Sequence, residues 1–374
     1  MSWRTTKFGE FADVQPSIQL DRGMEYPFIP MEIVEPHRRD VPQTETRVWD
    51  GGGGARFQSG DTIFARITPC LEHGKTAQVR GLEKEVGFGS TEFLVFRGRP
   101  RISDSNFIYY LACSDVIREP AIKSMVGASG RQRAQRRVIE GILVRVPSEV
   151  EVQQEIADVL SAYDELLENN RRRMGLLEEA ARLLYREWFV RLRFPGHEHA
   201  RITNGIPEGW ERKPLGERAT LNYGKALKAE ERIDGPFPVY GSSGIVGSHE
   251  KPLTNGPGII LGRKGNVGSV FWSSKDFYAI DTVYFVDAQT SNLYLFYALK
   301  DMHFISTDVA VPGLNRDFAY SRPLVIPAKL VFRQFLEAVS PMHEQMEKLD
   351  EMNQKLRAAR DLLLPRLMSG EISV

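Results

Sequence analysis

Residues 171–189 read RRRMGLLEEAARLLYREWF, and residues 354–372 read QKLRAARDLLLPRLMSGEI. Both are charged stretches crossed by a stripe of Leu, Ala and aromatic residues, the composition of a long amphipathic helix. From about Glu149 to Arg191 there is no proline and a single glycine, Gly175. Within that span Ile156, Leu160, Tyr163, Leu167, Asn170, Met174, Leu177, Ala181, Leu184 and Trp188 step by 4, 3, 4, 3. This is the a/d seam of a coiled coil, with period 3.5. At 1.5 Å per residue it spans roughly 50 Å, and FPGHE (194–198) ends it. After Pro327 the same step recurs through Phe335, Val339, Met342, Met346, Leu349, Asn353, Leu356, Arg360, Leu363 and Leu367, with Asn353 and Arg360 as the exceptions to an apolar seam.

The segments before each helix share a different character. TIFARI (62–67), EFLVFRG (92–98) and GILVRVP (141–147) read as strands, as do PGIILGR (257–263), GSVFW (268–272) and TVYFVD (282–287), because they are rich in β-branched and aromatic residues and bounded by turn residues. NFIYYLACSDVIREPAIKSM (106–125) reads as a helix broken near Pro120, and NLYLFYALKDM (292–302) as its counterpart. Local phrases repeat in the same order: WRTTKFGE (3–10) with WERKPLGE (210–217), FIYYLACSD (107–115) with LYLFYALKD (293–301), and GRQR (130–133) opposite GLNR (313–316). The pattern is an internal repeat. It predicts an α+β protein with two similar mixed α/β domains, 1–150 and 194–330, and two long helices, 151–193 and 331–374. A lone apolar stripe would stay wet, so each helix needs a partner. The other helix is the obvious one. Their connection passes through a whole domain, so an antiparallel pair is expected, a rigid bar between two related domains.

The remaining numbers exclude more than they assign. Hydrophobic content of 42% and charged content of 26% are those of a globular protein. Forty-nine basic residues balance 49 acidic ones, and Cys70 and Cys113 form no CxxC pattern. No disulfide framework or zinc site is suggested. The first residues, MSWRTTKFGEFADV, lack a signal-peptide apolar run, and no stretch approaches 18 apolar residues, so a cytoplasmic protein is expected. LEHGKT (71–76) ends like a phosphate-binding P-loop, but Pro69 stands where that motif needs glycine. His197 and His199 in a polar loop fit solvent exposure. There is no GxSxG, HExxH, GxGxxG or Asn/Asp/Ser-Pro-Pro-Tyr/Phe phrase, so the chain reads as non-catalytic, with no cofactor of its own and no metal site.

Two similar domains at a set separation suit a target with two related sites at a set separation, and DNA half-sites about 34 Å apart are such a target. GRQRAQRR (130–137) places Arg131, Arg133, Arg136 and Arg137 with Gln132 among them. Arg and Gln pair bidentately with guanine and adenine edges, and clustered Arg neutralises phosphates. GRKGNVGS (262–269) puts Arg263 and Lys264 among glycines, and Asn315 and Arg316 follow Gly313. Ser129 and Lys225 complete this candidate set. Two plainer readings stand beside it: an Arg-rich run is also what a solvated surface looks like, and glycines beside Arg263 punctuate a turn equally well.

At this point the chain resembles the specificity subunit of type I restriction–modification systems. The resemblance covers essentially the whole chain and rests on its alternation of domain and helix. It rests also on GDTIFARITPCLEHGK (60–75), YGSSGIVGSH (240–249), IILGRKGNVGSV (259–270), IPEGWERKPLGE (206–217) and LLLPRLMSGEI (362–372). It implies two target-recognition domains, each reading half of a split DNA sequence. It implies helices that set the unread spacer and dock two methyltransferase subunits. Those subunits would carry S-adenosylmethionine, and separate restriction and motor subunits would use ATP and Mg. It places the DNA-facing loops at Ser129–Arg137 and Gly313–Arg316. The first domain has no RKG phrase, and Arg66 and Lys75 are its nearest equivalents. With zero net charge, the isolated chain is expected to bind DNA weakly and the full complex strongly. The alternative is a non-enzymatic coiled-coil scaffold whose globular ends bind protein.

Overall fold

The computed structural model describes residues 2–41, 45–128, 130–304 and 313–374 of the chain. Its α-helices are α1 (Phe8–Phe11), α2 (Ser105–Cys113), α3 (Asp115–Lys123), α4 (Arg136–Gly141), α5 (Val150–Tyr185), α6 (Leu293–Asp301), α7 (Arg316–Ser321) and α8 (Lys329–Ser369). The chain divides into two units, Met1–Arg172 with Leu349–Val374, and Arg173–Lys348.

In the first unit the strand Thr62–Ala65 is buried along its whole length. Its alternate residues serve two cores. Phe64 points into a cluster with Phe96, Phe107 and Tyr110 of α2, while Ile63 and Ala65 join Ile29, Phe57 and Val95 on the other side. The two-residue period of a strand makes this division. The sheet around it has the strand order Ala12–Val14, Phe93–Gly98, Thr62–Ala65, Thr76–Gln78. A second sheet runs Glu45–Val48, Glu25–Ile29, Val86–Gly89, Ala55–Gln58, with its middle pair parallel. The strand Trp3–Lys7 pairs antiparallel with Leu143–Pro147.

The second unit repeats this plan. Its main sheet has the order Asn222–Tyr223, Val283–Val286, Gly258–Gly262, Val270–Ser273, and a smaller one holds a parallel pair, Phe237–Gly241 with Tyr278–Ala279. Ile259 and Leu261 face one core and Ile260 the other. Glu211–Pro214 pairs with Pro323–Ile326 as Trp3–Lys7 does with Leu143–Pro147. Helices α2 and α6 are apolar almost all round, so they sit inside their units. Each starts on a side-chain cap, Asp104 accepting from Phe107 N and Asn292 from Leu295 N. The break expected near Pro120 lies at Ser114, where the backbone becomes extended, and Pro120 sits within α3. A serine that leaves the helical region and bonds its hydroxyl back to Leu111 O ends α2 there.

In the first unit α5 and α8 run antiparallel: Ile156 and Leu160 share a core with Leu367, Asp164 meets Arg360, and Asn170 meets Asn353. In the second unit Ala181, Tyr185 and Phe189 pack with Phe335 and Val339. Every expected seam residue is at least half-buried. Ile156, Leu160, Leu167, Val339, Leu349 and Leu367 are fully so, and Tyr163, Met174, Leu177, Leu184, Trp188, Met342, Met346, Leu356 and Leu363 partly. One stretch departs from strict 3.5 spacing. Tyr185 and Phe189, not Leu184 and Trp188, hold the centre of the second unit's core. There the helix faces α6 as well as α8, which widens its apolar stripe. A π-helical turn, Arg186–Val190, closed by Arg191 N to Arg186 O at 2.8 Å, extends it.

Candidate nucleic-acid interface

The candidate residues of the first unit gather where the strand Thr62–Ala65 ends. Arg66 N donates to Glu92 O at 2.9 Å, and Arg66 O accepts from Ala134 N at 2.8 Å. Thr68 N donates to Gln132 O at 3.0 Å, and Arg133 exchanges both backbone bonds with Val126. The arginine-rich loop is therefore stitched on both sides and is a fixed platform. Arg133 uses its guanidinium on that platform: Nε lies 2.9 and 3.1 Å from the two Glu92 oxygens, and Nη2 2.6 Å from Oε1. The hydrogen bonds from Arg133, helped by the charges of Arg133 and Arg66, hold the Glu92 carboxyl below the usual carboxylate range. Arg131, Arg136 and Arg137 are exposed, with Arg136 paired to Glu140 one turn on at 2.7 Å.

Lys75 does not join this group through its amine. Its Nζ donates to Met31 O at 3.0 Å, tying the end of one turn to the short 3-10 turn Met31–Ile33. Ser129 lies outside the described residues.

In the second unit the strand Gly258–Gly262 runs out into Arg263 and Lys264. Arg263 N donates to Thr282 O at 2.9 Å and Arg263 O accepts from Leu314 N at 2.8 Å. The Arg263 guanidinium lies 5.0 Å from the ring centre of Tyr223, and the Arg316 guanidinium lies 5.0 Å from the same ring. Tyr223 is exposed and packs edge-on against the buried Tyr284, whose hydroxyl donates to Leu314 O at 3.1 Å. Arg263 also donates to Asp281 O at 3.1 Å, and Lys264 lies 3.8 Å from the Asp281 carboxylate. Asn315 caps α7, its Oδ1 accepting from Asp317 N at 2.8 Å and Phe318 N at 3.1 Å. The side-chain oxygen of this candidate residue is thus occupied by the helix start. Lys225 is exposed, with its backbone N bonded to Ala279 O.

The backbone bonds settle which residues correspond in the two units. Arg66 matches Arg263, since each follows the inner strand and accepts from the returning loop. Ala134 then matches Leu314, and Arg136 matches Arg316, the first residue of a six-residue helix. The loop phrases in register are RAQR (133–136) and GLNR (313–316), three residues from the pairing with GRQR. The shared G-x-x-R pattern was the misleading signal. Sequence reading also missed Glu92 and Tyr223. Neither belongs to a motif, and each matters only through the arginines that folding brings to it.

Among the described residues no helix is long and apolar enough to cross a membrane, and no group of three or more His, Cys, Asp or Glu residues could hold a metal ion.

Each of the two units displays arginines at the end of its inner strand. The chain belongs to the family of type I restriction modification DNA specificity domains, whose model matches residues 3–178 and 207–328. It is similar to the type I restriction enzyme MjaIX specificity subunit of Methanocaldococcus jannaschii, 26% identical over 302 residues, covering 72% of this chain and 69% of that one. It is 31% identical over 157 residues to the type I restriction enzyme EcoEI specificity subunit of Escherichia coli, covering 40% of this chain and 26% of that one. Its fold matches the crystal structure of a type I restriction–modification S subunit from M. genitalium. The TM-score is 0.58 with 18% identity, over 98% of this chain and 96% of that one.

Proposed function

We propose that each unit of this specificity subunit reads one half of a split, asymmetric DNA sequence, and that the α5–α8 pair sets the unread spacer and docks two methyltransferase subunits. The observation that carries this reading is the repetition itself: two units of one topology present arginines from the same loop, and two long helices run on from them. Arg131, Arg136 and Arg137 in one unit and Arg263, Lys264 and Arg316 in the other are the DNA-facing set, with Arg66, Gln132 and Lys225 beside them. Lys75, Arg133 and Asn315 act as braces, since each is engaged within the protein.

Docking on the helices is supported by leucines that lie off the seam and open to solvent, Leu176 at 71% exposure and Leu362 at 70%. Exposed leucines on a helix already packed on its other side suit a further helix. In this reading S-adenosylmethionine belongs to the methyltransferase partners, ATP and Mg to restriction and motor subunits, and the complex works in the cytoplasm. This chain supplies specificity and no chemistry. The test is co-expression with a methyltransferase encoded beside it, followed by mass determination. Two methyltransferase copies per copy of this chain support the reading. A stable homodimer that never takes up a methyltransferase points instead to a scaffold.

A further inference from the structure

We propose that Arg66 with Arg136, and Arg263 with Arg316, are one clamp for the DNA phosphate backbone used twice, and that it carries no sequence information; this rests on the DNA-reading function above. The equivalence comes from backbone geometry, not from residue type. Arg66 and Arg263 each donate a 2.9 Å amide bond to the residue just before the neighbouring strand, and each accept at 2.8 Å from the returning loop. Arg136 and Arg316 each open the short helix two residues later.

The charged surroundings of these four residues do not repeat. Glu92 stands where the second unit has Thr282, Arg133 where it has Gly313, and Ile67 where it has Lys264. The two arginines are what recurs. A group shared by two units that read different half-sites cannot tell those half-sites apart. What the two halves of any duplex have in common is the phosphate backbone.

The chemistry agrees. Arg263 and Arg316 lie over one tyrosine ring, and among the described residues neither forms an ion pair with a carboxylate. Two guanidinium groups held at one ring with no carboxylate partner are free to take a phosphate, which supplies the anion each lacks. The cation–π contact with Tyr223 holds both groups in place and leaves N–H groups to donate. In the first unit the Arg136–Glu140 pair is exposed and readily exchanged for a phosphate. Glu92, beside Arg66, is already held bidentately by Arg133. Base reading then falls to residues that differ between the units, Arg131, Gln132 and Arg137 in one and Lys264 in the other.

The experiment uses the chain in complex with its methyltransferase partner and a labelled 40-base-pair duplex of random sequence, titrated at several salt concentrations. Arg66→Ala, Arg136→Ala, Arg263→Ala and Arg316→Ala should each weaken binding by roughly 5- to 30-fold and lower the log–log salt slope by about 1. The motif methylated in cells expressing each variant should be unchanged. The corresponding Lys variants should restore the slope. A motif relaxed in one half-site would show that the arginine reads bases and overturn the proposal. So would an unchanged salt slope, or a Lys variant as weak as the Ala variant, which would assign the residue to packing. A wild-type complex that methylates without any motif sinks the sequence-reading function, while the salt slopes still decide whether the four arginines hold phosphates.

Discussion

Asp164 and Arg360 place a charge pair inside an apolar seam. Their side chains are 4% and 7% exposed, and Arg360 Nη1 lies 2.5 Å from Asp164 Oδ1. Tyr110 donates its hydroxyl to Asp164 Oδ2 at 2.6 Å, and Arg360 reaches His37 O and Asp361 as well. Burial, then the Asp164 charge, push the Tyr110 hydroxyl far above its ordinary range, so it stays a donor. Removing one partner strands the other. Arg360→Ala is expected to cost about 3–5 kcal/mol in chemical denaturation, whereas Arg360→Met with Asp164→Leu should fall within about 1 kcal/mol of the parent. A single variant as stable as the double would contradict this. Arg360 stands out in the sequence as a seam exception. Asp164 does not, because its burial depends on which turn of α2 packs against α5.

His343 makes a second residue-scale prediction. Its Nε2 lies 2.8 Å from the Tyr297 hydroxyl, and burial lowers its pKa to about 4. The unfolded chain, with an ordinary value near 6.5, takes up a proton first. The contribution is therefore complete above pH ~6.5 and is lost as pH falls toward ~4, by up to about 3 kcal/mol. His343→Gln keeps a hydrogen-bonding partner for Tyr297 and does not titrate. The difference in melting temperature between parent and variant should shift in the variant's favour across that window, and a constant difference would count against the assignment.

At the scale of the element, the 3.5-residue period was enough to identify α5 and α8 and to place their buried rows, because a helix that must cover an apolar stripe writes that stripe at fixed spacing. Pro341 and Pro365 lie within α8 without ending it, and the shift to Tyr185 and Phe189 follows from packing against α6, which no local spacing records. Leu160 is fully buried on the seam and Leu176 is exposed off it. Leu160→Ala should lower stability by about 2–5 kcal/mol through the cavity it leaves. Leu176→Ala should stay within about 0.5 kcal/mol of the parent but reduce methyltransferase retention on a co-purification column. Equal losses of stability would mean that the two faces are not distinct.

At the scale of the whole molecule, the repeat was legible as an order of phrases, since two copies of one unit bury the same strands and helices in the same sequence. The two arginine loops were paired three residues out of register. Surface loops are held by backbone bonds to distant strands, here Arg66 with Ala134 and Arg263 with Leu314, and side-chain identity there is free to drift. Glu92 and Tyr223 were illegible for the same reason. If the helix pair sets the spacer, deleting one facing heptad from each helix, residues 171–177 and 346–352, removes roughly 10 Å of helix. The methylated motif should then keep both half-sites and lose about 3 base pairs between them, taking 3.4 Å per base pair. An unchanged spacer would separate helix length from spacing.

The most direct test of the central claim is to map every methylated adenine in DNA from cells expressing this chain with its methyltransferase partner. The account predicts one split motif, two different half-sites at a constant separation, with the unread positions random in sequence. A single contiguous motif, or methylation that follows no motif, would contradict it.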